Sequence, residues 1–114
     1  MTKRNVEDYL QDIIDAINAT EEFVIGLEYT TFIKDQKTIF AVTRAVEIVG
    51  EASKQIPPDM RDNYNTIPWK EVAGMRDKMI HHYFGINLKI LWNTIQNDFP
   101  ELKREIQQIL NDIS

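Results

Sequence analysis

The sequence contains no cysteine, which excludes disulfides, zinc sites with thiolate ligands and thiol nucleophiles. Histidine is scarce, because His81 and His82 are the only two. Four glycines are present, and none belongs to a phosphate-binding loop. The 13 basic residues are fewer than the 18 acidic ones, and the net charge of −5 argues against a general nucleic-acid coat. Any nucleic-acid site therefore has to be a local cleft.

Long apolar runs are also missing. No segment reaches the ~20 apolar residues that a membrane-spanning helix needs, and no signal-peptide block follows Met1. We therefore expect a cytoplasmic protein without membrane contact. The hydrophobic share of 43% and the charged share of 27% are typical of a globular chain. Because no repeat, low-complexity tract or linker divides the sequence, we expect one domain over residues 1–114.

Apolar residues instead recur with helical spacing, and no period-two strand pattern appears. Asn5 can cap a first helix, with Asp8 in place for a capping box. The proline-free stretch from Asp35 to Ile56 carries an apolar stripe too wide for a surface helix. It predicts the central, most buried helix, which Pro57-Pro58 ends.

Shorter signals predict the remaining elements. Residues 21–31 indicate a break or a short helix, and residues 58–67 a connection with one helical turn. Pro68 opens a helix that Gly85 is placed to end. Further helices begin near Asn87 and Pro100. The fold class we expect is all-α, an antiparallel bundle of four to six helices.

The reactive side chains are concentrated in the run RDKMIHHY, residues 76–83. Metal-independent RNA cleavage needs a base for the 2′-hydroxyl proton, an acid for the leaving oxygen and a positive charge for the transition state. On a straight helix, His81 points about 140° away from Arg76, whereas Tyr83 returns to within about 20° of it. Either the helix distorts near Gly85, or two copies of the motif meet across a two-fold axis.

The same residues also fit a purely structural role, which composition and spacing alone favour. His81 and His82 suit the negative end of a helix dipole, Arg76 can pair with a carboxylate, and Tyr83 can be a core ring. A metal site on the two histidines is weaker still, because adjacent helical residues diverge by about 100° and no third histidine is near.

The stretch from Ile67 to Trp92, IPWKEVAGMRDKMIHHYFGINLKILW, resembles the HepT toxins of the HEPN superfamily. Residues 45–53, AVEIVGEAS, resemble the long helix of the same proteins. The family motif is an arginine with a polar residue after it, a histidine four to six residues on, and a tyrosine one residue beyond the histidine. The matching positions here are Arg76, Asp77, His81 and Tyr83.

This resemblance implies a HEPN homodimer whose two motifs line a shared cleft and cleave RNA, either transfer or messenger, without a metal ion or another cofactor. His81 would be the general acid and base, Arg76 would hold phosphate, and Asp77 would orient the site. The implied partner is an antitoxin, a minimal nucleotidyltransferase (MNT), that silences the toxin by transferring AMP onto Tyr83. His82 receives no role.

Two carboxylates lie on the predicted central helix. Glu51 is a candidate supporting residue that could hydrogen-bond Arg76, whereas we expect Glu47 to face solvent. The competing function is a non-catalytic HEPN module that binds a nucleotidyltransferase partner. The intact trio of Arg76, His81 and Tyr83 favours the enzyme, because a scaffold does not need it.

Overall fold

A computed structural model describes residues 3–81 and 85–114, with His81 described by its backbone alone. Its fold class is all-α, as the sequence predicts. The helices are α1 (Val6–Phe23), α2 (Tyr29–Phe32), α3 (Gln36–Lys54), α4 (Pro58–Asn63), α5 (Trp69–Ala73), α6 (Met75–Met79), α7 (Leu88–Asn93), a π-helical turn (Thr94–Asp98) and α8 (Phe99–Ile113). None of these helices is long and apolar enough to cross a membrane.

The predicted capping box starts α1. The Asn5 side chain accepts a hydrogen bond from the Asp8 backbone N–H at 3.0 Å, and the Asp8 carboxylate accepts one from the Asn5 N–H at 3.0 Å. The helix ends at Phe23, and Gly26, with φ +79°, lies in the turn that follows. The short helix α2 comes next, so the predicted break and the short helix are both present.

The long helix α3 is central, as its apolar stripe predicts. It begins after Asp35, whose carboxylate accepts a hydrogen bond from the Thr38 N–H at 3.1 Å, an interaction that lowers the pKa of Asp35. Val42, Val46 and Val49 are fully buried, and α1, α5 and α6 all pack against the helix. It ends ahead of the prolines, and α4 supplies the helical turn predicted after them.

The last two predicted helices form one continuous helical stretch. Asn87 caps α7 by accepting a hydrogen bond from the Ile90 N–H at 3.1 Å, and Pro100 lies in the first turn of α8. Between them the chain stays helical through the π turn instead of forming a loop. Proline lacks the backbone N–H that a continuous helix donates to the preceding turn, and the irregular π turn lies directly ahead of α8 and Pro100.

The predicted helix from Pro68 to Gly85 is wrong in its extent. Gly74 separates α5 from α6, and α6 ends at Met79. The chain then enters β1 (Ile80–His81), which pairs antiparallel with β2 (Gly85–Ile86). Each strand has only two residues, too few to leave the alternating pattern by which strands are recognised. Gly85, with φ +80°, belongs to β2 and does not cap a helix.

Helices α3 and α5 are in backbone contact at Gly50. A Cβ atom at this position would lie 3.4 Å from the Ala73 carbonyl oxygen and 3.6 Å from that of Val72. These are backbone atoms at the end of α5, and α6 follows after Gly74. The contact at Gly50 therefore determines where α6 lies beside α3.

Substitution of Gly50 tests this contact. Gly50→Ala is expected to fold normally, because its Cβ fits at van der Waals distance and alanine favours a helix by up to about 1 kcal/mol over glycine. Gly50→Val adds methyl groups that meet the α5 carbonyls, and should lower the free energy of unfolding by about 1–3 kcal/mol relative to Gly50→Ala. Urea denaturation measures both values, and equal values would contradict the close approach.

Candidate active site

Arg76 lies on α6 and points toward α3. Its Nε atom is 3.7 Å from Glu47 Oε2, and its Nη1 atom is 3.9 Å from Asp77 Oδ1. Both distances are ion-pair contacts and are too long for hydrogen bonds. The Arg76 side chain is 44% exposed. The guanidinium is therefore held in place by charge, while its N–H groups stay available to a ligand.

The glutamate of α3 that contacts Arg76 is Glu47, and not Glu51 as the sequence analysis suggested. Its side chain is only 32% exposed and lies between Arg76 and Arg44, whose Nη1 is 4.0 Å away. The expectation that Glu47 faces solvent is therefore wrong. Glu51 instead pairs with Lys54 at 3.3 Å, and its side chain is 66% exposed. Among the contacts of the described residues, the carboxylate that reaches Arg76 from α3 comes from Glu47.

The packing at Gly50 explains which glutamate reaches Arg76. Glu47 and Glu51 are one helical turn apart, so both can lie on the same side of α3. The chain leaves α5 beside Gly50 and reaches Arg76 next to the preceding turn, where Glu47 lies. Periodicity places both carboxylates on that side of α3, and only the path of α5 and α6 distinguishes them.

Asp77 follows Arg76 on α6 and is strongly exposed. Its single ion-pair contact within the described ranges is the one to Arg76. Arg44, Arg76, Glu47 and Asp77 together carry no net charge, counted as two positive and two negative groups. This neutral cluster is less acidic than the chain as a whole.

The backbone of His81 lies in β1, where it pairs with Gly85. Its side chain, together with His82 and Tyr83, lies outside the described residues, so the expected convergence of His81 and Tyr83 on Arg76 is not tested. The angles of a straight helix no longer apply, because α6 ends at Met79. The helix ends well before Gly85. The angle between Arg76 and His81 on a straight helix therefore no longer argues that two copies of the motif must meet.

The carbonyl of Met79 shows how the helix ends. It accepts a hydrogen bond from the Asn87 N–H at 2.6 Å, just beyond the strand pair. The Asn87 side chain caps α7 at the same time. One residue therefore joins the end of α6 to the start of α7, and it anchors both ends of the segment that contains His81 and Tyr83.

Within the described residues, no group of three or more His, Asp or Glu side chains is arranged to hold a metal ion. The charged groups near Arg76 are one carboxylate and one arginine from α3 and the exposed Asp77. In this set the two arginines are the groups that can bind an anion, and both already contact carboxylates.

Comparisons with known proteins identify the family of the chain. The family model described as "Ribonuclease HepT-like" matches residues 13–109, which include α3, α6 and the whole motif. "Probable ribonuclease HepT" of Thermococcus cleftensis is 49% identical over 107 residues, covering 94% of this chain and 97% of its own length. "Putative RNase MJ1216" of Methanocaldococcus jannaschii is 42% identical over 113 residues, covering 99% and 93%.

A bacterial relative, "Putative RNase TTE0752" of Caldanaerobacter subterraneus, is 43% identical over 102 residues, covering 90% of this chain and 91% of its own length. No solved structure matches the chain. The resemblance noted in the sequence and the expected enzyme class, a ribonuclease, are both confirmed. The chain belongs to the HepT-like ribonuclease family.

Proposed function

We propose that this ribonuclease is the toxin of a toxin–antitoxin pair and cleaves cellular RNA at a cleft shared by two copies of the chain. The observation that carries the proposal is the exposed guanidinium of Arg76, held between Glu47 and Asp77 five residues before His81. In an acidic protein, the Arg76 guanidinium offers RNA phosphate a local cation, and its contacts to Glu47 and Asp77 are too long to occupy its N–H donors.

Arg76 binds the scissile phosphate in this proposal. Arginine presents several N–H donors in a planar fork that matches phosphate oxygens. Glu47 orients the guanidinium from α3, and Arg44 offsets the negative charge of Glu47. Glu47 is therefore a positioning residue that acts through Arg76.

His81 transfers the protons. As a base it removes the proton from the 2′-hydroxyl, whose oxygen then forms a bond to phosphorus while the bond from phosphorus to the 5′ oxygen breaks. The leaving 5′ oxygen takes a proton from a general acid, and a 2′,3′-cyclic phosphate remains. The step needs both a base and an acid, and each motif supplies one histidine in the motif position. Two motifs facing each other in a homodimer provide both groups.

The first test is incubation of the purified chain, free of partner, with total cellular RNA in excess EDTA. Arg76→Ala and His81→Ala should each lower cleavage by about 100-fold or more, because they remove a charge on the phosphate and a proton-transfer group. Arg104→Ala, at an exposed arginine on α8, is the matched control and should cleave like the parent. Fragment yield on denaturing gels is the readout.

Two results would count against this function. An active enzyme that sediments as a strict monomer at micromolar concentration would overturn the shared cleft. A folded dimer that lacks AMP on Tyr83 and still cuts no RNA would favour the non-catalytic module that binds a nucleotidyltransferase.

The second test separates Glu47 from Glu51. Glu47→Gln keeps the side-chain shape and removes the charge that orients Arg76. Because partly exposed ion pairs contribute up to about 1 kcal/mol, we expect kcat to fall by up to about fivefold. We expect no rise in KM, because the substitution also removes a carboxylate that faces the RNA phosphate. Glu51→Gln should have a smaller effect.

Glu22→Gln on α1 is the control for this pair, and urea denaturation should show that all three variants are equally folded. A larger loss of kcat in Glu51→Gln than in Glu47→Gln would show that the Arg76–Glu47 contact does not serve the reaction.

The third test concerns the antitoxin. We infer that a minimal nucleotidyltransferase transfers AMP from ATP onto Tyr83: the tyrosine oxygen loses its proton and bonds to the α-phosphorus, and pyrophosphate leaves. The product has a bulky negative group close in sequence to the phosphate-binding Arg76. After incubation with ATP and that enzyme, mass spectrometry of proteolytic fragments should find AMP on the peptide that contains Tyr83. The modified protein should lose RNA cleavage, and Tyr83→Phe should stay unmodified. AMP found only on other peptides would refute the assignment.

A further inference from the structure

A groove of about 570 Å³ lies on a different side of α6 from Glu47. Met75, Lys78 and Met79 border it from α6. The rest of its wall comes from the segment that leads into α5, from α5 and α7, and from the π turn and α8. The helix that carries Arg76 therefore separates the candidate active site from this groove.

The floor of the groove is apolar. Met79 and Phe99 are fully buried, and Val72 and Leu102 are nearly so. Ile90 borders the same space and keeps 37% of its surface exposed. Because the four floor residues have almost no exposed surface, the apolar area that an occupant can cover comes mainly from Ile90 and from the half-buried Met75.

The rim of the groove is acidic. Glu71 lines one side, while Asp98, Glu101 and Glu105 line the other, with Lys78 as the one basic side chain among the lining residues. Within residues 3–81 and 85–114, none of these four carboxylates forms an ion pair. Glu105 accepts one hydrogen bond, from the Thr66 hydroxyl at 3.2 Å. Such a rim repels RNA phosphate and attracts a basic group.

The π turn shapes this groove. Thr94 and Asp98, its first and last residues, both line the space, and Phe99 follows directly as part of the floor. A π turn replaces regular α-helical hydrogen bonds with i→i+5 bonds and occurs frequently at functional sites. In this chain it joins the acidic rim to the apolar floor.

We propose that this groove is the docking site for a segment of a partner protein that presents apolar side chains flanked by lysine or arginine. The apolar side chains cover Ile90 and Met75 above the floor, and the basic groups face the unpaired carboxylates of the rim. The volume lies within the range of about 300–1,000 Å³ that is typical of specific binding pockets. Because the occupant contacts α6, it binds against the helix that holds Arg76. The proposal does not depend on the ribonuclease mechanism.

The test uses the full chain and a fluorescent synthetic helical peptide of leucine and lysine as the probe. Saturable binding by fluorescence anisotropy is expected for this peptide. Two matched peptides complete the set, one with glutamate for each lysine and one with alanine for each leucine, and both should bind at least about tenfold more weakly.

Variants of the protein locate the site. The double substitution Glu71→Lys and Glu101→Lys should weaken binding of the leucine–lysine peptide at least about tenfold at low salt, and less at high salt. The control is Glu7→Lys with Glu22→Lys on exposed positions of α1, which changes the net charge by the same amount. This control should change the affinity by less than about twofold.

A second pair of variants tests the apolar surface of the groove. Ile90→Lys places a charge at the edge of the floor and should also weaken binding at least about tenfold. Ile25→Lys, at an isoleucine that is more exposed than Ile90 and lies outside the groove, is the matched control and should bind like the parent. Thermal melts followed by circular dichroism establish that all four variants are folded.

Several results would overturn the proposal. Failure of the parent to bind, or equal weakening by both members of either variant pair, would mean that the groove is not the site. Equal binding of the alanine peptide would mean that acidic charge alone attracts the probe. If the groove variants change self-association in sedimentation while peptide binding stays the same, the occupant is a second copy of this chain.

Discussion

The packing of α3 against α5 is the constraint on which the rest of the site depends. At Gly50 the carbonyl oxygens of Val72 and Ala73 approach so closely that a Cβ atom would just touch them. The path of α6 follows from that contact, and with it the position of Arg76 beside Glu47. The arginine therefore owes its location to close backbone packing of two helices, and the longer-range ion pairs only adjust its orientation.

The charge of the molecule is distributed in a way that its net value hides. Arg44 and Arg76 form a cluster without net charge with Glu47 and Asp77 on one side of α6, while the acidic groove lies on another side. The acidic rim repels phosphate and attracts basic groups, whereas the neutral cluster leaves two partly exposed arginine cations open to an anion. The two surfaces therefore differ in the charge of the partner that each can bind.

Local signals predicted the helix boundaries that depend on near neighbours. The capping box at Asn5, the cap at Asn87 and the stop before Pro57 involve residues within three or four positions of each other, so the pattern contains the whole interaction. The buried face of α3 was also predictable, because burial on a helix follows the apolar period. The end of α6 was not predictable, because the Met79 carbonyl pairs with Asn87, eight residues further along the chain.

The sequence by itself determined the all-α class, the caps, the central helix and the family to which the chain belongs, since these follow from local periodicity and from the residues at 76–83. Only the tertiary structure decided that Glu47 and not Glu51 contacts Arg76. It also decided that a groove with an apolar floor and an acidic rim forms on another side of α6. The physical reason is that both features join side chains from helices far apart in the chain. Their meeting depends on how closely those helices pack, which local periodicity does not encode.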